Sequence, residues 1–164
     1  MSTLARNNNR ILFIENTGVR AIRLSDFSRL IKRITNRLKT VAGFQEEMPN
    51  LFIFSPLILP FPYSRLARKI NRYLMKRSLS KWMRATDFHD PLIWTFLPTP
   101  LVLDIVDELP HKAFVYYCTD NFAATSQAAR KVVRFEQEVV RKADAVFVMS
   151  ENLQKNFLAY NPNV

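Results

Sequence analysis

Short apolar runs alternate with amphipathic stretches along the whole chain. Residues 10–15 (RILFIE) follow a polar start and read as a buried first strand. After a loop, Ser25 caps a helix that begins at Asp26. Its Phe27, Leu30, Ile31, Ile34 and Leu38 share one face, with Arg29, Lys32 and Arg33 opposite. Residues 51–54 form a second apolar run, stopped by Ser55-Pro56, and a weaker strand pattern precedes it at 41–45. Ser64 starts a basic helical region reaching Arg84. Its first half is expected to bury Leu66, Ile70, Tyr73 and Leu74, and its second half Met75, Leu79, Trp82 and Met83 on a shifted face. That shift predicts a kink, or two helices, near 75–78. Strands at 92–96, 113–118 (AFVYYC) and 145–149 (AVFVM) follow. They are separated by a helix after Pro98 and Pro100 and by another from Thr125 or Ser126 to Lys142. Ser150 caps a last helix to about residue 160.

Strand–helix alternation with uniformly apolar strands predicts an α/β fold: a Rossmann-like parallel sheet with helices on both faces. Residues 1–9 read as a flexible tail and 10–164 as one domain. In such sheets the working residues lie at the carboxyl ends of the strands, here 15–20, 55–56, 95–99, 119–122 and 150–151.

Composition narrows the chemistry. The chain has 164 residues, enough for one buried core, and no run approaches a membrane-spanning length. Its polar first ten residues lack a signal core, so a cytoplasmic place is expected. Cys118 is the one cysteine, which excludes an internal disulfide. The two glycines, Gly18 and Gly43, exclude glycine-rich nucleotide loops. Two histidines, His89 and His111, do not make a zinc site of the usual kind, and there is no D-x-D triplet, so no metal is expected. The net charge of +10 is concentrated in residues 20–39 and 65–84, which hold 15 of the 24 basic residues.

Several residues at the expected strand ends bear on function. Asp120 would orient or deprotonate an acceptor hydroxyl, or else close a turn or cap a helix. Gly18 would admit a sugar or phosphate to the backbone, or serve only as a turn residue. Arg20 beside it would meet a diphosphate through its planar fork, unless it is simply an exposed cation. Thr95 and Asn121 are further candidates for binding an acceptor or donor phosphate. So is Ser150, at a helix N-terminus, although capping alone accounts for it. Trp94 would stack on a sugar, with core packing the plainer alternative. Glu136 falls in the middle of an apolar helix face formed by Ala129, Val132, Val133, Val139 and Val140. It reads as a structural buried acid, bonded to groups near Ser150, with an acceptor contact as the lesser reading. Cys118 reads as a small buried apolar residue. Arg65, Arg68, Lys69, Arg72 and Lys76 form a basic face with three readings: a solvated surface, contact with an anionic membrane surface, or an acidic glycan. Nucleic acid is not expected, since no reading motif accompanies the charge.

The stretches ILFIE (11–15), NLFIFSPLILPFP (50–62), the pair Asn71-Arg72, PLIWTFLPT (91–99), VYYCTDNF (115–122) and FEQEVVRKADAVFVMSENL (135–153) are collinear with one family. They resemble the N-terminal half of bacterial family-four glycosyltransferases of the GT-B type, especially those of teichuronic-acid and other cell-surface polysaccharide synthesis. The resemblance implies two Rossmann-like domains around a cleft. The N-terminal one shapes the acceptor site, and the C-terminal one grips a nucleotide-sugar and carries a glutamate. It further implies retention at the anomeric carbon and a glycan or lipid-linked acceptor. In that family a segment like NPNV (161–164) leads into the donor domain. The chain on its own is therefore expected to be inactive, to need no other cofactor, and to self-associate through its exposed interdomain face. Relatives often carry two adjacent acids where this chain has Asp120-Asn121, and a histidine where it has Phe96 or Leu97. The alternative is a non-catalytic module of the same fold that docks on a membrane or a partner protein.

Overall fold

The computed structural model describes residues 2–15, 43–59, 61, 64–119, 121 and 130–164, with side chains of the last segment from 133 onward. The helix expected from Asp26, Gly18, Arg20 and Asp120 lie outside the described residues. The chain divides into two compact units, Met1–Leu74 and Met75–Val164.

In the first unit, β1 (Ile11–Ile14) lies parallel to β3 (Leu51–Phe54), with Ile11 opposite Leu51 and Ile14 opposite Phe54. β2 (Phe44–Met48) joins the other side of β3 as an antiparallel hairpin strand, an addition to the expected parallel order. A turn at Pro49-Asn50 makes the hairpin possible, because asparagine tolerates the left-handed φ of 68° found at Asn50. Gly43 enters β2 with φ 71°, and a Cβ there would meet the Ser55 carbonyl oxygen at 3.0 Å. Phe44 and Phe54 stack at 4.0 Å across the hairpin. Residues 2–6, expected as part of a flexible tail, form α1 (Ser2–Arg6), with Ala5 buried.

Helix α2 (Arg65–Ala85) runs uninterrupted for 21 residues, so the expected break near 75–78 does not occur. Its buried positions are Ala67, Asn71, Met75, Leu79, Trp82 and Met83, a single face at helical spacing. Leu66, Ile70, Tyr73 and Leu74, expected inside, are all exposed. The reason lies at Asn71. Its buried carboxamide accepts from the Leu59 amide at 2.7 Å and donates to the Leu59 carbonyl at 3.0 Å. That pairing needs Asn71 to face inward, and small Ala67 one turn earlier shares its face. The bulky stripe is thereby turned outward.

The second unit is built on three parallel strands in the order β4 (Leu92–Thr95), β5 (Ala113–Cys118) and β6 (Ala145–Val148). The crossovers run through α3 (Pro100–Glu108) and α4 (Arg130–Lys142), and α5 (Glu151–Leu158) follows β6. Phe114, Tyr116 and Cys118 point to one face of the sheet. They share a core with Val102, Leu103 and Val106 of α3, Val139 and Val140 of α4, and Leu153 and Phe157 of α5. Thr99 starts α3 by accepting from the Val102 amide, with Pro100 at the first helical position. This is a mixed α/β protein whose parallel sheet is flanked by helices, a Rossmann-like arrangement. Among the described residues no helix is long and apolar enough to cross a membrane.

Candidate functional site

All three strands of the second unit run the same way, so their carboxyl ends share one rim. Thr95 is level with Tyr116, and Cys118 with Val148, so β5 and β6 carry the rim about two residues beyond β4. Along it lie Thr95-Phe96, Thr119, Asn121 and Met149-Ser150.

The hydroxyl of Thr95 is buried and turned into its own loop. It donates to the Leu97 carbonyl at 3.0 Å and accepts from the Leu97 amide at 3.2 Å. Ser150 has extended backbone and caps α5, accepting from the Leu153 amide at 3.3 Å. Asn121 is exposed at the rim. Thr95 and Ser150 thus belong to one sheet edge, each already engaged in shaping it.

Glu136 lies elsewhere, inside the core beneath the sheet. Its carboxylate accepts from the Tyr116 hydroxyl at 2.7 Å and from the Cys118 thiol at 3.6 Å. The partner is therefore Tyr116 on β5, not a group near Ser150. Burial pushes the Glu136 carboxyl above the ordinary carboxylate range, although the hydrogen bonds from Tyr116 and Cys118 pull the other way. Burial first, and the neighbouring carboxylate second, hold Tyr116 far above the usual phenol range. The cluster is a buried hydrogen-bonded unit joining β5 to α4. Alternation along AFVYYC places Tyr116 and Cys118 on the face that meets α4, a signal legible in the sequence but not used to pair them with Glu136.

The AD and NPN segments also close the fold. Asp144 accepts from the Phe114 amide at 2.7 Å and donates its own amide to the Phe114 carbonyl at 2.8 Å. Buried Asn161 donates to the Val140 and Ala143 carbonyls at 2.7 and 2.6 Å, satisfying the C-terminal end of α4. The Asn163 carbonyl accepts from the Val146 amide at 2.9 Å. Among the described residues every buried side-chain nitrogen and oxygen has a partner.

The opposite face of the sheet has a different character. Leu92 and Trp94 of β4 and Phe147 and Met149 at β6 are exposed, as is Phe96. Trp94, for which core packing was the plainer of two readings, is 46% exposed. It stacks on Phe147 with centroids 5.8 Å apart and planes 6° from parallel, and meets Tyr117 edge-on. Phe96 also meets Tyr117 edge-on at 5.6 Å, and the Tyr117 hydroxyl donates to the Met149 sulfur at 2.9 Å. The rings hold one another in an ordered, solvent-facing array that reaches the carboxyl rim. Contiguous exposed apolar patches are uncommon on the free surface of a folded protein.

On α2, Arg65, Lys69 and Arg72 are exposed and Arg68 is half-buried. Lys76 forms an ion pair with Glu108 of α3. No protein-family model matches the chain, and no curated protein matches it.

Proposed function

We propose that the chain is the acceptor-side domain of a two-domain, nucleotide-sugar-dependent glycosyltransferase acting with retention on a cell-surface glycan or lipid-linked acceptor in the cytoplasm. The observation that carries this reading is the aromatic array of Trp94, Phe96, Tyr117 and Phe147 beside the carboxyl rim of a parallel sheet. Aromatic side chains offer an apolar face to the C–H side of a sugar ring, and ligands of parallel sheets bind at the carboxyl ends of the strands. The resemblance carried by PLIWTFLPT and VYYCTDNF falls on the segments that build the array. The donor nucleotide is assigned to a second domain, and Asp120 is kept as the candidate that orients the acceptor hydroxyl.

The test is sugar transfer by the polypeptide of the complete reading frame, supplied with a panel of nucleotide-sugars and saccharide or lipid-linked acceptors. Transfer from at least one donor is expected, with Trp94→Ala raising the acceptor KM more than it lowers kcat. A folded protein that neither hydrolyses nor transfers from any donor overturns the reading.

A non-catalytic binding module of the same fold is the second reading. The engagement of both Thr95 and Glu136 by hydrogen bonds within the domain favours it. Saccharide binding that Trp94→Ala weakens, without turnover of any donor, would select it.

A further inference from the structure

Met149 stands apart from the other described methionines. Met75 and Met83 are buried on the packed face of α2, at 2% and 8% exposure, and Met48 is half-buried in β2. Met149 is 63% exposed. It lies between the end of β6 and Ser150, whose side chain caps α5, so its backbone is held from both sides while its side chain lies open. An accessible thioether is open to oxidation by peroxide, whereas a packed one is shielded.

The sulfur also has a partner. It accepts from the Tyr117 hydroxyl at 2.9 Å. The Tyr117 ring in turn meets Trp94 at 6.3 Å and Phe96 at 5.6 Å, edge-on in both cases, and Trp94 stacks on Phe147. One end of the aromatic array is therefore anchored to the most exposed of the described methionines. A thioether sulfur is a weak acceptor, whereas a sulfoxide is polar and carries an oxygen for a donor to seek.

We propose that Met149 is a site of reversible oxidation by peroxide, and that its sulfoxide reorganises the aromatic array through Tyr117. A sulfur lone pair attacks one oxygen of hydrogen peroxide, and the O–O bond breaks. The departing hydroxide takes the proton left on the new sulfur-bound oxygen and leaves as water. Sulfur loses two electrons and the peroxide gains them. The Tyr117 hydroxyl then donates to the sulfoxide oxygen instead of the sulfur. That oxygen stands off the sulfur, so the ring must turn, and its edge contacts with Trp94 and Phe96 shift with it. A polar group also enters an apolar surface, which disfavours an apolar ligand face laid over it. A methionine sulfoxide reductase restores the thioether. None of this depends on which ligand the array takes.

The full chain is treated with dilute hydrogen peroxide, and its peptides are followed by mass alongside tryptophan emission. One added oxygen is expected at Met149 ahead of Met48, Met75 and Met83. A shift in emission should keep pace with it and reverse on treatment with a methionine sulfoxide reductase and a thiol reductant. Trp82, the other tryptophan, is buried on α2, so Trp94→Phe should remove the shift. Met149→Leu keeps the apolar bulk and should lose the shift, with an unfolding curve that matches the parent. Tyr117→Phe separates modification from transmission: Met149 still gains oxygen, but the emission stays constant. Should Tyr117→Phe alter folding, Met149→Leu and the reductase reversal carry the test alone. Oxidation of Met75 or Met83 as fast as Met149, or emission that stays constant while Met149 is oxidised in the parent, overturns the proposal. So does a shift that a folded Tyr117→Phe variant leaves intact.

Discussion

The Tyr116 hydroxyl donates to the Glu136 carboxylate at 2.7 Å, across the seam where β5 meets α4. A strand residue and a helix residue twenty positions apart thus satisfy each other in a place closed to water. The Cys118 thiol at 3.6 Å completes the group. The bond fixes the rotation of α4 on the sheet, because only one helical face can bring a carboxylate to that hydroxyl.

Stability should respond to pH through this pair. Glu136 is held above its ordinary pKa by burial, so the folded state retains a proton that the unfolded chain releases near pH 4.3, about the value of a free glutamate. Its contribution is full below that pH and is lost as pH rises through the folded-state pKa. Urea midpoints measured from acid to mildly alkaline pH should fall for the parent relative to Glu136→Gln. The glutamine keeps an acceptor for Tyr116 and cannot ionise. A parent–variant difference that does not change with pH would show that the carboxyl is charged throughout.

Truncation should separate the bond from the charge. Glu136→Ala leaves the Tyr116 hydroxyl without its carboxylate and opens a cavity, at a cost of about 2–4 kcal/mol. Tyr116→Phe removes the donor but keeps the ring, at about 1 kcal/mol. Urea unfolding of both variants checks the order, and an alanine variant no worse than the phenylalanine one would argue against a buried bond.

Asn161 should matter more than its place in a terminal segment suggests. Its carboxamide donates to the Val140 and Ala143 carbonyls at the end of α4. Asn161→Ala is expected to cost about 2 kcal/mol. Asn161→Asp should cost more, since a carboxylate turned to two carbonyl oxygens repels them. Denaturant midpoints in the order parent, alanine, aspartate are the expected result.

The first unit has its own sensitive positions. Gly43→Ala puts a Cβ 3.0 Å from the Ser55 carbonyl oxygen at φ 71°, a strain of about 1–3 kcal/mol. Asn71→Leu keeps the volume but strands both polar groups of Leu59. Limited proteolysis should then cut within residues 57–61 at a protease concentration that spares the parent.

The sequence by itself determined the order and kind of the elements. AFVYYC, LFIF and AVFV are apolar and short, the pattern of strands in a sheet. Pro100 and Ser150 sit where helices begin, for reasons local to the backbone. Glu136 stood out because a carboxylate amid valines must find a partner. Tertiary structure alone decided which partner, which face of α2 turns inward, and which side of the β4–β6 sheet stays open. Leu66, Ile70 and Tyr73 have the periodicity of a core face, yet they lie outside. Periodicity records that a helix has an apolar stripe, whereas burial depends on what another segment requires. Here the amide and carbonyl of Leu59 both pair with Asn71, and satisfying two backbone groups outweighs leaving a few leucine-sized side chains in reach of solvent.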